Sequence, residues 1–282
     1  MMNKTEAFND FVVRFRHLIT KNPHLIKTTL SNIFTMRLIG NKTHGDLAEI
    51  GISEFINQFM YDFSSIHVGK ELYRAKIHEE DIKIINEISK VDFSISLKAY
   101  GDGPLQLSTD KNTKMFPYLQ SFKKDIIKND KIIKKILSSS EFSEFSNINV
   151  LPLIYDEKNK KCNIMVFDFL KAKNSTVIIK LEKEGKGRKH PAFRFYDFED
   201  NYICEVRYGD AAANALQRGL WTNTKNATKY FNSTTNGWID YSDNTILVKL
   251  FSYALVSTSA GHHEAIKSLI VDIENQKTNM NG

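Results

Sequence analysis

The chain has 282 residues, 41% of them hydrophobic, which is enough to bury the core of one large domain or two modest ones. Its two cysteines, Cys162 and Cys204, exclude a disulfide scaffold, and the lack of Cys/His spacing excludes a structural zinc site. The formal net charge of +6 mildly favours a polyanionic partner such as nucleic acid.

The chain carries no signal for membrane insertion. Its first residues are charged and lack an apolar core segment, and no stretch has the roughly 18 uninterrupted apolar residues of a membrane span. The phosphate loop GxxxxGK[ST] and the dinucleotide motif GxGxxG are also absent from the sequence. We therefore expect a cytoplasmic protein with no membrane contact and no nucleotide cofactor.

Helical spacing of apolar residues predicts three helices at the start of the chain, over 5–21, 24–39 and 45–61. Pro23 separates the first two, and Gly40 ends the second. Alternation of apolar and polar residues then predicts two strands, over 80–86 and 91–100, joined by the turn EISK. A Lys-rich amphipathic helix is predicted over 117–137.

The second half of the chain has a different pattern of apolar and polar residues. Five apolar runs separated by polar turns predict successive strands of an antiparallel meander, from about residue 148 to 209. A short helix over 210–218, a polar loop over 219–237, an apolar strand or helix over 244–257 and a final helix over 261–275 follow. The fold class is α/β, with a helical and hairpin part over 1–145 and a β-rich part over 146–282, or one continuous domain.

The predicted hairpin places chemistry-bearing residues on one face. If the strands pair about EISK, Asp81 falls opposite or next to Lys98, and Ser94 and Ser96 share their face. A carboxylate of this kind binds Mg²⁺ through oxygen, and Mg²⁺ polarises a phosphate and lowers the pKa of a bound water. Lys98 would orient that water or stabilise the developing charge. The alternative is an ordinary cross-strand ion pair at the surface.

Asp81, fourteen intervening residues and then Ser96-Leu97-Lys98 resemble the PD-(D/E)xK motif of a nuclease superfamily that includes most Type II restriction endonucleases. The resemblance covers roughly residues 43–110 and implies that Asp81, Ser96 and Lys98 form the catalytic site. Glu49 and Glu54, on the helix before the hairpin, resemble the extra acidic residue that this superfamily often recruits.

The sequence departs from that motif at two positions. Glu80 stands where the motif has proline, and Ser96 stands where it has a second carboxylate. Serine is a poor metal ligand, so the second ligand would come from elsewhere, and the candidates are Glu49, Glu54, Glu80 and Asp92. We assign Asp81, Glu80 and Glu49 as the expected metal ligands.

Two further stretches have the side chains that contact DNA. A basic turn and the strand after it suit phosphate or groove contacts, through Lys186, Arg188, Lys189, His190 and Arg194. The residues after the short helix combine amide, hydroxyl and cationic groups that read base edges, namely Gln217, Arg218, Trp221, Thr222, Asn223 and Lys225. The alternatives are a solvated hairpin tip and a loop anchored by a core tryptophan.

The resemblance implies a restriction-endonuclease-like mixed central sheet flanked by helices. It also implies a sequence-specific, Mg²⁺-dependent endonuclease that cuts double-stranded DNA to leave 5′-phosphate ends, and a homodimer acting on palindromic sites. Two other functions stay open from the residues alone. One is a non-catalytic nucleic-acid-binding protein, and the other is a structure-specific nuclease of the same superfamily.

Overall fold

A computed structural model describes residues 2–39, 44–68, 81–100, 103–110, 114–142, 149–156, 158–183, 190–207 and 218–245, with isolated positions beyond (248, 267, 271, 274 and 275). The helices are α1 (Lys4–Lys21), α2 (Pro23–Ile39), α3 (His44–Phe59), α4 (Met115–Ser121), α5 (Asp130–Leu137) and α6 (Phe169–Ser175). The strands are β1 (Phe63–His67), β2 (Ile82–Asn86), β3 (Asp92–Tyr100), β4 (Pro104–Ser108), β5 (Ile126–Ile127), β6 (Asn149–Asp156), β7 (Lys161–Phe167), β8 (Ile178–Glu182), β9 (Ala192–Tyr196), β10 (Tyr202–Arg207), β11 (Gly219–Asn223), β12 (Phe231–Ser233) and β13 (Ile239–Asp240).

The first sheet is mixed and runs in the order β1-β2-β3-β6-β7-β12, with β13 also paired to β7. Its pairs are antiparallel except for β3 and β6, which run parallel. The α/β class and the mixed sheet are therefore confirmed. Parallel strands need a crossover, and the crossover from β3 to β6 contains β4, α4, β5 and α5.

The N-terminal helices cover one face of the first sheet, as the amphipathic pattern predicts. Asn3 caps α1, because its side chain accepts from the Glu6 N–H at 3.0 Å while the Glu6 carboxylate accepts from the Asn3 N–H at 2.8 Å. The buried phenylalanines of α1 pack edge-on against the sheet, with the Phe8 and Phe93 rings 5.7 Å apart and the Phe11 and Phe63 rings 5.5 Å apart.

The second sheet is antiparallel and runs in the order β4-β11-β10-β9-β8-β5. The predicted meander is correct for β8, β9 and β10, whereas β6 and β7 belong to the first sheet. A second hydrophobic cluster joins the sheets, because it contains Met165 and Phe167 of β7 together with Phe193 and Phe195 of β9.

Two predicted elements are wrong. The single Lys-rich helix over 117–137 is broken, because Lys123 adopts a left-handed φ of 51° after α4 and β5 then pairs with β8. The Asn129 side chain accepts from the Ile132 N–H at 3.1 Å and starts α5 as a new helix. The polar loop over 219–237 instead contains β11, which is paired on both sides.

Several predictions fall outside the described residues. They are the helix at 210–218 apart from Arg218, most of the segments over 244–257 and 261–275, and the boundary near 145. The strands that follow that boundary, β6 and β7, pair in the same sheet as β3. Of the helices that the structure describes, none is long and apolar enough to cross a bilayer.

Gly219 holds the start of β11 against the end of β4. Its φ is +113°, and a Cβ at this position would overlap the Ser108 carbonyl oxygen and lie 2.9 Å from the Asp110 nitrogen. Both the left-handed backbone and the close approach therefore require glycine.

We expect Gly219→Ala to lower the free energy of unfolding by about 3 kcal/mol or more, because backbone strain and overlap add. Gly237→Ala is the matched control, since Gly237 has a φ of +117° with nothing within 4 Å of the added Cβ. The control should lose only about 1 kcal/mol. Urea unfolding of both variants measures the difference, and equal losses would contradict the close approach at β4.

Buried Asp197 holds the turn between β9 and β10. One of its oxygens accepts from the N–H groups of Glu199 at 3.0 Å and Asn201 at 2.9 Å, and the other accepts from the Tyr230 hydroxyl at 2.6 Å and contacts the Lys229 ammonium. Burial raises the pKa of Asp197, but these hydrogen bonds outweigh burial and hold the pKa well below its usual range.

The stability that Asp197 contributes should depend on pH. Because its folded-state pKa is depressed, the contribution is complete above about pH 5 and is lost as pH falls through the ordinary Asp range and below it. At pH 7 we expect Asp197→Asn to lower the free energy of unfolding by about 2 kcal/mol. The difference in free energy of unfolding between the variant and wild type should become smaller as the pH falls towards about 2.5. Asp200→Asn, an exposed position in the same turn, should show neither effect. A pH-independent loss in Asp197→Asn would refute the charge-based account.

Candidate functional site

Asp81 lies where β2 and β3 stop pairing through their backbones. The ladder runs from Ile85 opposite Asp92 to Ile82 opposite Ile95, and the Asp81 N–H donates to the Ile95 carbonyl at 3.2 Å. Beyond that point the Asp81 carboxylate replaces the backbone acceptor, because its Oδ2 accepts from the Leu97 N–H at 2.8 Å. The carboxylate is thereby fixed at the fork between two strands.

Ser96 and Lys98 complete a cluster around this carboxylate. The Ser96 hydroxyl, which is fully buried, donates to Asp81 Oδ2 at 2.8 Å, and Lys98 Nζ lies 3.7 Å from the same oxygen. The predicted proximity of Asp81 and Lys98 is thus observed. The side chains of Asp81 and Lys98 are 16% and 26% exposed, so the pair is largely shielded and still open to a ligand.

The other carboxylate oxygen, Oδ1 of Asp81, accepts no hydrogen bond from any residue that the structure describes. All three contacts converge on Oδ2. The cluster therefore presents one carboxylate oxygen and one ammonium group side by side, held by a buried hydroxyl and a backbone N–H. Such a pair can bind a hard cation and an anionic substrate together.

Glu49 is buried on α3 and points at the strand next to Asp81. Its Oε2 lies 3.1 Å from Nε2 of His67, at the end of β1. The next residue, Val68, donates its N–H to the Asp81 carbonyl at 2.9 Å. The register of α3 on β1 is set further along, where the Asn57 side chain accepts from the Ser65 N–H at 2.7 Å.

Of the remaining acidic residues predicted as possible metal ligands, the two that the structure describes do not lie in this cluster. Glu54 is exposed, about 140° around α3 from Glu49. Asp92 lies six residues from Lys98 along β3, about 20 Å away, and pairs with Lys83 at 3.4 Å. Glu80 lies outside the described residues. Within the part of the chain that the structure describes, no three His, Cys, Asp or Glu side chains are grouped to hold a metal.

His67 is a component that sequence reasoning missed. The five-residue strand β1 follows α3 directly and was not recognised, because FSSIH mixes polar and apolar residues without strict alternation. Only the pairing of His67 with Ile82 brings the imidazole beside the hairpin.

The polar face of the second sheet carries two of the predicted DNA-contacting residues, Arg194 and Trp221. Arg194 Nε and Arg207 Nε donate to opposite oxygens of buried Glu205, at 3.0 and 2.7 Å. The Arg207 guanidinium also stacks 3.9 Å above the Trp221 ring, while Arg194 lies 5.8 Å from the ring of Tyr202. Sequence reasoning named Arg194 and Trp221 but missed Glu205 and Arg207, which no local motif marks.

The other predicted contacts are scattered. Thr222 is buried and donates to the Ile203 carbonyl at 2.7 Å, whereas Asn223 accepts from the N–H of Lys225 at 3.1 Å to form a turn. The Arg218 carbonyl accepts from the Gln106 amide at 2.9 Å. His190 precedes β9 and is half-buried. Outside the described residues lie Lys186, Arg188, Lys189 and Gln217.

Comparison with known proteins identifies no relative of this chain: no protein-family model, no curated protein and no solved structure matches it significantly.

Proposed function

We propose that this chain is a Mg²⁺-dependent endonuclease of the PD-(D/E)xK type that cuts double-stranded DNA at specific sequences, as Type II restriction enzymes do. The observation that carries the proposal is the Asp81–Ser96–Lys98 cluster. It combines a strand-end carboxylate, one oxygen of which no described residue engages, and a lysine two residues beyond the serine. A mixed sheet flanked by helices supports a restriction-endonuclease-like fold.

An ordinary surface ion pair explains this cluster less well. A surface pair contributes about 0–1 kcal/mol and needs no buried buttress, whereas Asp81 is fixed by two further hydrogen bonds from β3. These bonds hold the carboxylate in one orientation and leave Lys98 to approach from the side. Preorganised charge of this kind is what phosphodiester hydrolysis requires.

The residues present fit a hard cation. Mg²⁺ is commonly held by one or two carboxylates, with waters and substrate phosphate completing its shell. Asp81 Oδ1 would supply one such ligand, and Glu49, buried beside β1, would be the second carboxylate in place of Ser96. When bound, Mg²⁺ would polarise the scissile phosphate and lower the pKa of a bound water.

The protein groups have separate roles in the proposed reaction. Asp81 would hold the cation, while the Lys98 ammonium would hydrogen-bond the attacking water or the phosphate oxygen that gains charge. Ser96 keeps the carboxylate in place. Attack of water forms a new P–O bond and breaks the P–O3′ bond, and a proton from the water ends on the leaving O3′, so the products are a 5′-phosphate and a 3′-hydroxyl. A homodimer would place two such clusters on a palindromic site.

The central test compares Asp81→Asn and Lys98→Ala with wild type on mixed-sequence duplex DNA and Mg²⁺. We expect discrete fragments from wild type and a loss of roughly 100-fold or more in each variant, because charge stabilisation is removed. Asparagine keeps an acceptor for the Leu97 N–H and so preserves the fold. Lys83→Ala is the matched control, a lysine on the neighbouring strand paired with Asp92.

Three outcomes would count against this proposal. Absence of cleavage by wild type at any divalent concentration would refute endonuclease activity. Equal cutting by all variants would refute this site. Cleavage that follows DNA structure instead of sequence would replace the restriction assignment with a structure-specific nuclease.

A second test asks which carboxylate replaces the missing one. We expect Glu49→Gln to lower the cleavage rate roughly 10-fold or more and to raise the Mg²⁺ concentration needed, because a ligand charge is lost. Glutamine still hydrogen-bonds His67. Glu54→Gln, on the exposed side of the same helix, should stay within about 2-fold of wild type. The opposite ranking of the two variants, measured by Mg²⁺ titration of initial rates, would exclude Glu49.

A further inference from the structure

The second sheet holds an arginine whose orientation is fixed from two sides. Arg207 Nε donates to Glu205 at 2.7 Å, and its guanidinium plane lies 3.9 Å above the Trp221 ring. Its terminal amino groups make no hydrogen bond to any described residue, and the side chain is 29% exposed. The guanidinium therefore presents two parallel N–H donors outwards in a fixed plane.

The carboxylate behind this arginine is unusual for a structural ion pair. Glu205 is only 5% exposed and receives two arginines, because Arg194 donates to its other oxygen at 3.0 Å. Buried ion triads of this kind are seldom needed for stability, since well-packed apolar residues serve as well. The triad instead fixes side-chain orientation, because the hydrogen bonds to Glu205 hold both guanidinium groups in place.

The surroundings contain an excess of donors. The Trp221 indole N–H and the Nε of Arg218 are buried and have no hydrogen-bond partner among the residues that the structure describes. Buried donors without acceptors are costly and uncommon. Because these two atoms are shielded, the terminal amino groups of Arg207 are the donors in this group that a ligand can reach.

We propose that Arg207 is a base-reading residue that donates its two terminal amino groups to O6 and N7 of a guanine in the major groove of DNA. This inference rests on the proposed action on duplex DNA and names the residue that selects sequence. A planar bidentate donor matches the guanine edge. A phosphate contact fits less well, because Glu205 cancels part of the local positive charge that a phosphate would require.

The test uses Lys98→Ala protein, which is expected to bind without cutting, and a duplex library with randomised positions. The selected sequences should contain a conserved G·C pair. In this background Arg207→Lys should relax the preference at that one pair by about 5- to 100-fold and leave the other positions unchanged. Lysine keeps a positive charge beside Glu205, so the fold is retained, and the melting temperature verifies this. Lys180→Ala, on the same sheet and paired with Glu182, is the control and should keep the wild-type preference.

A chemical substitution in the DNA sharpens the result. Replacing the selected guanine with 7-deazaguanine removes the N7 acceptor. This replacement should weaken DNA binding by the Lys98→Ala protein, in which Arg207 is intact, but not by the same protein with Arg207→Lys. If Arg207→Lys weakened binding to all sequences equally, Arg207 would contact phosphate and base reading would be overturned. Base reading would also be overturned if the protein with Arg207 intact bound DNA without any sequence preference. A further outcome is that the wild-type protein never cuts DNA and still binds it selectively, with the expected effect of Arg207→Lys. That result would refute the proposed endonuclease activity and would support base reading by Arg207.

Discussion

One carboxylate oxygen, Oδ2 of Asp81, holds together the place where β2 diverges from β3. Leu97 is buried, and its N–H requires an acceptor once the backbone ladder has ended at Ile95. Asp81 supplies that acceptor, and Ser96 donates to the same atom. A side chain that completes the sheet is therefore the one that presents charge beside Lys98, so architecture and chemistry depend on a single residue.

The two candidate surfaces are joined by a short length of chain. β3 carries Lys98 and continues into β4, whose first neighbour in the second sheet is β11. The Gly103 carbonyl accepts from the Thr224 N–H at 3.2 Å and fixes this junction. Five residues from Lys98 to Gly103 extend at most about 18 Å, roughly half of one turn of B-DNA. Lys98 therefore lies within about half a duplex turn of the point where β4 joins the second sheet.

Sequence patterns predicted the parts of the fold that depend on local periodicity. The three N-terminal helices, the hairpin and most β8–β10 bounds follow from spacing and turn residues, with Pro23 separating the first two helices. The Asp81–Lys98 pair followed from alternation along two strands. By contrast, β5 and β11 form because they pair with strands that are distant in the sequence. The strand neighbours of Ile126 and Trp221 lie far along the chain, so a pattern in the nearby residues does not predict these strands.

The same distinction holds within the candidate site. Ser96 was identified as the departure from the motif, but its hydrogen bond to Asp81 depends on the register of β2 against β3. His67, Glu205 and Arg207 carry no local signal, because each acquires its role from a residue on another element. Glu49 was named with Glu54, and only the packing of α3 on β1 separates them.

The parallel pair in the first sheet has a consequence for the order of assembly. Ile95 pairs with Asn149, and β7 receives β12 and β13 from still further along the chain. Loop closure over such distances is slow compared with forming the β2–β3 hairpin. During synthesis, β7 keeps an unpaired edge until residue 240 has left the ribosome, and such an edge invites pairing with other chains. Nascent chains that end between β7 and β12 therefore expose this edge of the first sheet to other chains.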